Sequence, residues 1–363
     1  LTISIVAGQQ VLSFGAAGYT LLTNQTQTIT ATNNVGNGGA ITYSITAGSG
    51  SATVNETTGQ ITGIAAGSVT LTAQAAATSN YNASSMSVLV TIYASTPVLS
   101  LSIVGGLSLT VDGFAQAIAS SNPSTSTTQQ TIVYSVIAGS GFALVDTVSG
   151  QLTGTAAGTI TVTATALANG NYNEAITSTV VIIGKRTPTL QFSPQPSAMV
   201  VGVTQTVLAT STTMLVDNGG GISYTLLSGS GTATVNSTSG LVTALGAGTV
   251  TIRATLLGNA NYNGSFTDTL ISIGKVTPSL QFSPQPTAMV VEGTQVVSAT
   301  STTMLLDNGG GISYTLGVGS GSGTINAITG QLTATGAGTL NIIATLLGNR
   351  NYNQAVTSTD TTI

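Results

Sequence analysis

The chain has 363 residues, too many for one ordinary β-sandwich and suited to two to four domains. Only 4% are charged, the formal net charge is -4, and Cys, His and Trp are absent. This leaves no basic stripe for nucleic acid or an anionic membrane surface, no disulfide framework, and neither thiolate nor imidazole for zinc.

Mean hydropathy is positive, yet no stretch reaches the roughly 18 apolar residues of a membrane-spanning helix. Apolar residues alternate instead with Thr and Ser, the period of a β-strand. In chain order, Leu1-Thr2-Ile3-Ser4-Ile5 alternates in this way and aligns with Leu270-Ile271-Ser272-Ile273, a closing strand farther along. Residues 1–6 therefore read as the last strand of an upstream repeat, in a fragment of a longer array. The alternative is an extra strand of the first domain.

Three markers then recur in step. Asn-Tyr-Asn places Tyr81, Tyr172, Tyr262 and Tyr352 at intervals of 91, 90 and 90. An I-x-Y segment places Tyr43, Tyr134, Tyr224 and Tyr314 at the same intervals, and Thr-Pro recurs at Pro97, Pro188 and Pro278. One period kept by three markers is a duplicated domain. The repeats run over 7–94, 95–185, 186–275 and 276–363, and the last two are nearly the same sequence.

The third repeat shows the expected elements. Leu190 to Phe192 opens it, and Pro194 and Pro196 come after; proline cannot donate to a ladder, so this is an edge strand that kinks or changes sheet. Met199 to Val201 and Val207 to Thr210 come next, and Asp217 to Gly221 (DNGGG) reads as a turn. Ile222, Tyr224 and Leu226 should face inward, alternating with Ser223 and Thr225. Then come a strand ending at Val235, a turn through Asn236 and Gly240, and a return strand through Val242. Val250, Ile252 and Ala254 should face the core with Thr249, Thr251 and Arg253 outside. A last strand runs from Phe266 to Ile273. Seven or eight short strands with regular turns predict an all-β chain, a tandem array of four immunoglobulin-like β-sandwich domains.

The segment YTLLSGSGTATVNSTSGLVTALGAGTVTIRAT (224–255), continued by GNANYNGSFTDTLISIGKVTP, resembles the bacterial Ig-like repeats of large surface adhesins and filaments. The first repeat departs by lacking Ser-Pro-Gln-Pro, and Ala94-Ser95-Thr96-Pro97 lacks the lysine of the joint. The Thr-rich, nearly uncharged style is similar to giant adhesins of the Bacteroidota, including gliding cells with type 9 secretion. The resemblance implies an extracellular place on a bacterial cell surface and a structural stalk that projects a binding tip. The partners it implies are neighbouring Ig-like repeats of the same chain, other copies in a filament, or surface glycans. An adhesive module recognising glycan or a partner filament, and a strand-donating filament subunit, are the alternative functions.

No constellation for catalysis stands out. There is no His for a nucleophilic triad, and Lys185 and Lys275 sit at domain joints. Asp217 and Asp307 precede triple glycine, which supplies too few alternating oxygen donors for a calcium loop and reads as an Asx-stabilised turn. The expectation is no enzyme, no cofactor and no metal. The Asn-Tyr-Asn tyrosines read as plugs closing the sandwich ends, each hydroxyl tied to backbone. Asp146-Thr147-Val148, Asp268-Thr269-Leu270 and Asp360-Thr361-Thr362 resemble the short O-glycosylation pattern of Bacteroidota, which makes Thr147, Thr269 and Thr361 candidate acceptors.

Each joint is short and carries Thr-Pro, which restricts the backbone on both sides. A repeat with its joint should span on the order of 40 Å, and bending between neighbours should be limited.

Overall fold

The computed structural model describes residues 2–122, 130–211, 221–301 and 311–363. The described residues are strand, turn and irregular chain, with no helix among them. Two compact units result, Leu1–Arg186 and Thr187–Ile363, and each holds two sandwiches.

The second sandwich shows the plan most plainly. Its strands are β1 (Val98–Val104), β2 (Ser108–Thr110), β3 (Phe114–Asn122), β4 (Ile132–Ala138), β5 (Phe142–Val145), β6 (Gln151–Ala156), β7 (Gly158–Ala166) and β8 (Ala175–Gly184). One sheet has the order β1-β3-β6-β5 and the other β2-β8-β7-β4. All neighbours are antiparallel except β2, which runs parallel to β8. A first strand split between two four-stranded sheets, with the closing strand beside its second half, is the immunoglobulin-like arrangement. The chain is thus all-β, with four such sandwiches in tandem.

The sheet change comes from the local backbone. Gly105 and Gly106, both at φ +94°, turn the chain between β1 and β2, a conformation L side chains disfavour. In the third sandwich Leu190–Phe192 pairs in one sheet with Ala209–Ser211, whereas Met199–Val200 pairs parallel with Ile273–Gly274 in the other. Pro194 and Pro196 occupy the crossing, as expected for residues that cannot donate to a ladder.

The core keeps the strand period. In β7, Ile160, Val162, Ala164 and Ala166 are buried, while Thr161, Thr163 and Thr165 between them are half-buried on the outer face. The third sandwich repeats this with Val250, Ile252 and Ala254 buried and Thr249, Thr251 and Arg253 half-buried. Each fully buried Val or Ile contributes about 1.5–3 kcal/mol relative to exposure. Sandwiches this size therefore hold together without disulfides.

Several local expectations need correction. Leu226 does not face the core; it is 38% exposed, and only Tyr224 of the Ile222/Tyr224/Leu226 triplet is buried. A strand at Thr204–Thr206 pairs with Leu241–Thr243, and the Val207 to Thr210 stretch is split, with strand resuming only at Ala209. Val207 between the two is buried, its amide bonded to the Gly240 carbonyl. Asp217, Asp307 and nearly all of both DNGGG stretches lie outside the described residues. Thr2–Val6 forms no strand and is exposed, so it is not an extra strand of the first sandwich, whose first pairing is Gly8 with Tyr81.

Candidate functional site: the joint between sandwiches

Two sets of tyrosines do different work. In every sandwich the I-x-Y tyrosine reaches across the core to accept a backbone amide. Ala31 donates to Tyr43 at 2.9 Å, Ala119 to Tyr134 at 2.9 Å, Ala209 to Tyr224 at 3.0 Å and Ala299 to Tyr314 at 3.0 Å. The ring lies against a turn closed by an Asx motif. In the third sandwich the Asn236 side-chain carbonyl accepts the amides of Thr238 and Ser239, and Gly240 comes next at φ +70°. A Cβ on Gly240 would meet the Val207 carbonyl at 2.3 Å and the Tyr224 ring at 3.2 Å, so only glycine fits.

Within each unit one Asn-Tyr-Asn loop, that of Tyr172 and that of Tyr352, takes part in the joint between its two sandwiches, and the Tyr172 hydroxyl meets a side chain of the neighbouring sandwich as well as closing its own end. The Asn169 side-chain carbonyl accepts the amides of Asn171 and Tyr172, folding the loop tightly. Ser95, in the link between the first two sandwiches, pairs in parallel with Tyr172, donating its amide to Asn171 and accepting that of Asn173. Asn173 also donates to the Thr96 hydroxyl at 3.0 Å, so the Thr-Pro and Asn-Tyr-Asn markers hold each other. The same bond joins Asn263 to Thr187 and Asn353 to Thr277, both at 2.8 Å.

The folded loop then grips the preceding sandwich. Asn171 accepts the Ala66 amide on its side-chain carbonyl at 2.9 Å and the Thr23 hydroxyl on its backbone carbonyl at 2.8 Å. Thr23 is buried, and its hydroxyl also lies 2.8 Å from that of Ser95. Asn24, at φ +61°, donates its side-chain amide to the Tyr172 hydroxyl at 2.5 Å. Tyr172 is itself buried.

The second unit builds the same grip. Asn351 accepts the Ala247 amide on its side-chain carbonyl at 3.1 Å, and Val276 pairs with Tyr352 as Ser95 does with Tyr172. Different accessories surround it. Lys275 donates to the Asn349 carbonyl at 2.7 Å, and Arg350 to the Ser230 carbonyl at 2.6 Å. Gly202 stands at the position of Asn24, so no side chain reaches Tyr352 from there. None of the bonds named for the first joint involves a charged side chain, whereas the joint in the second unit adds two cations on carbonyl oxygens, each joint being built around a bond from an Ala amide to an Asn side-chain carbonyl.

The candidate acceptor threonines fall in three environments. Thr147 is exposed inside the Asx turn where Asp146 accepts the amides of Val148 and Ser149. The Ser149 amide and hydroxyl, and then the Val148 amide, hold the Asp146 carboxyl below the usual carboxylate range. Thr269 is half-buried on the core-facing register of its strand. Its neighbour Asp268 forms a two-point pair with Arg253 at 2.8 Å, which lowers the Asp268 pKa and raises that of Arg253. Thr361 does not suit the role in the folded domain. It is buried where the third sandwich has Ile271, and its hydroxyl donates to the Thr287 carbonyl at 2.7 Å.

Lys185 and Lys275 do lie at the ends of sandwiches, and Lys275 serves the joint directly. Sequence reasoning passed over Asn171, Asn351, Ala66, Ala247 and Thr23. The first Asn of the triplet and the Ala of each Ala-Gly turn keep the common period, which is the signal that could have found them. Among the described residues no group of three or more acidic side chains could hold a metal, and no helix is long and apolar enough to cross a membrane.

No family model matches the chain, and no curated protein matches it. Solved structures resemble it. Invasin, a bacterial integrin-binding protein, is 15% identical, with 98% of this chain and 79% of invasin covered and a TM-score of 0.36. The D1–D4 ectodomain fragment of ICAM-5 is 13% identical over 98% of this chain and 100% of its own, with a TM-score of 0.31. A SusE-like surface located polysaccharide binding protein from Bacteroides thetaiotaomicron is 11% identical over 98% and 72%, with a TM-score of 0.19. At these identities the likeness is one of fold alone.

Proposed function

We propose that the chain is a segment of an extracellular bacterial stalk, in which serial sandwiches are clasped to their neighbours so that a distant tip is held away from the cell. The observation that supports this reading is the joint built twice on one plan, Asn171 on Ala66 and Asn351 on Ala247. A chain of independent binding modules has no need of a repeated polar grip on the neighbouring module. A spacer needs one, because each restrained joint removes bending freedom. No enzyme activity is proposed, and export by the type 9 route in a gliding cell rests on the resemblance of the Thr-rich repeats alone.

Backbone relaxation of the full chain tests the reading. The first and second sandwiches should share one rotational diffusion tensor, and so should the third and fourth. Independent tumbling within either pair would refute it. Binding of the chain to an immobilised glycan panel would favour the adhesive reading instead.

A further inference from the structure

Thr2–Val6 exposes three large apolar side chains, Ile3, Ile5 and Val6, at 81%, 92% and 83%. The residues just after it fix its place. Gly8 pairs in parallel with Tyr81 and donates its amide to the Asn80 carbonyl at 2.8 Å. Ser95 does the same to Tyr172 and Asn171, and Val276 to Tyr352 and Asn351. The Ala7 carbonyl accepts the Asn82 side-chain amide at 3.5 Å, as the Ala94 carbonyl accepts that of Asn173 at 3.3 Å. The chain entering the first sandwich is therefore held as a link between two sandwiches is held.

Register carries this further. Counting back from Gly8, Ser95 and Val276, Ile5 corresponds to Ile92 and Ile273, and Ile3 to Val90 and Ile271. All four counterparts are core residues of a closing strand, at 2%, 3%, 0% and 1% exposure. Asn80 corresponds in turn to Asn171 and Asn351, whose side-chain carbonyls accept an Ala amide from the sandwich before. Asn80 itself is exposed.

We infer that the Asn80–Tyr81 loop is the docking face for one more sandwich of this repeat type, with Thr2–Val6 as its closing strand and the Asn80 side-chain carbonyl accepting the amide of its Ala-Gly turn. The register identifies the occupant: Ile3 and Ile5 match the core side of a closing strand, and the link beyond them is already formed. The inference deepens the stalk reading and rests on it for the role of the joint.

The test extends the full chain. Residues 187–268 are fused directly before Leu1, so that Leu1–Val6 falls where Thr269–Gly274 falls in the third sandwich. In the unextended chain the Ile3 and Ile5 amides should exchange freely with solvent. In the fusion they should slow by about 100-fold or more, as strand amides in a folded core do. Asn80→Ala in the fusion should leave that protection intact while the Ala amide of the appended Ala-Gly turn speeds up at least about tenfold. Free exchange of Ile3 and Ile5 in the fusion would overturn the inference. So would an unfolded appended segment when a control fusion of residues 187–274 to Ala7 folds, or an Ala amide indifferent to Asn80→Ala. Concentration-dependent protection of Ile3 and Ile5 in the unextended chain would overturn it too, in favour of pairing between copies. The stalk reading fails separately, by independent tumbling of the first two sandwiches in the unextended chain.

Discussion

The amide of Ala66 and the side-chain carbonyl of Asn171, in two different sandwiches, are joined by a hydrogen bond of 2.9 Å. The bond spans 105 positions of sequence, and its counterpart, Ala247 with Asn351, spans 104. Neither partner belongs to a core, so the bond ties one sandwich to the next rather than holding either one together.

Asn171→Ala should therefore leave both sandwiches folded and loosen their joint. The lost bond is worth about 0.5–1.5 kcal/mol. Backbone relaxation should show the first sandwich gaining freedom relative to the second, with little change in the denaturation midpoint of either. Thr23→Val should act in the same direction, since the buried hydroxyl bridges the Asn171 carbonyl and Ser95.

Tyr224→Phe should behave differently. It leaves the buried Ala209 amide without its acceptor, a loss of about 1–3 kcal/mol. Urea denaturation of the third sandwich would read the loss, and tumbling of the folded state should not change.

Gly240→Ala forces a left-handed backbone on an L residue, at about 1–2 kcal/mol, and adds the clash with the Val207 carbonyl. Gly170→Ala is the control, because its Cβ would meet open space at an ordinary backbone angle. The first should lower the denaturation midpoint clearly and the second should change it little.

Acid should release two surface contacts. Asp146 is held below the usual carboxylate range by the amide and hydroxyl of Ser149 and then the amide of Val148, and Asp268 by Arg253. Because the folded-state values are depressed, any stability they contribute is present above the ordinary carboxylate range and lost as pH falls through the lowered values. Carboxyl carbon titration by NMR should find both below the range, and Arg253→Ala should move Asp268 upward while leaving Asp146 alone.

If the natural source modifies threonines in the short Asp-Thr pattern, Thr147 should carry the glycan and Thr361 should not. Thr147 is exposed on a turn, whereas the Thr361 hydroxyl is buried and already bonded to Thr287. Glycopeptide mass spectrometry of the natively secreted protein would decide it, and a glycan on Thr361 would contradict the expected order.

Much of this molecule was written in its period. Alternation of Val, Ile and Ala with Thr predicts strands such as Gly248–Leu256, because a half-buried strand exposes one face to water and the other to the core. Repeating markers predict four sandwiches, and the two prolines after Phe192 predict a strand that changes sheet. Spacing also separates the two tyrosine sets, Tyr224 inward and Tyr172 at a sandwich end, but not what their hydroxyls meet: the Ala209 amide for Tyr224, and Asn24 of the neighbouring sandwich for Tyr172. The joint consists of single polar bonds between groups far apart in the chain, 105 positions for Ala66 and Asn171 and 148 for Asn24 and Tyr172, and such bonds leave no hydropathy pattern behind. Only the packing of one sandwich against its neighbour brings Ala66 to Asn171 and gives both their purpose.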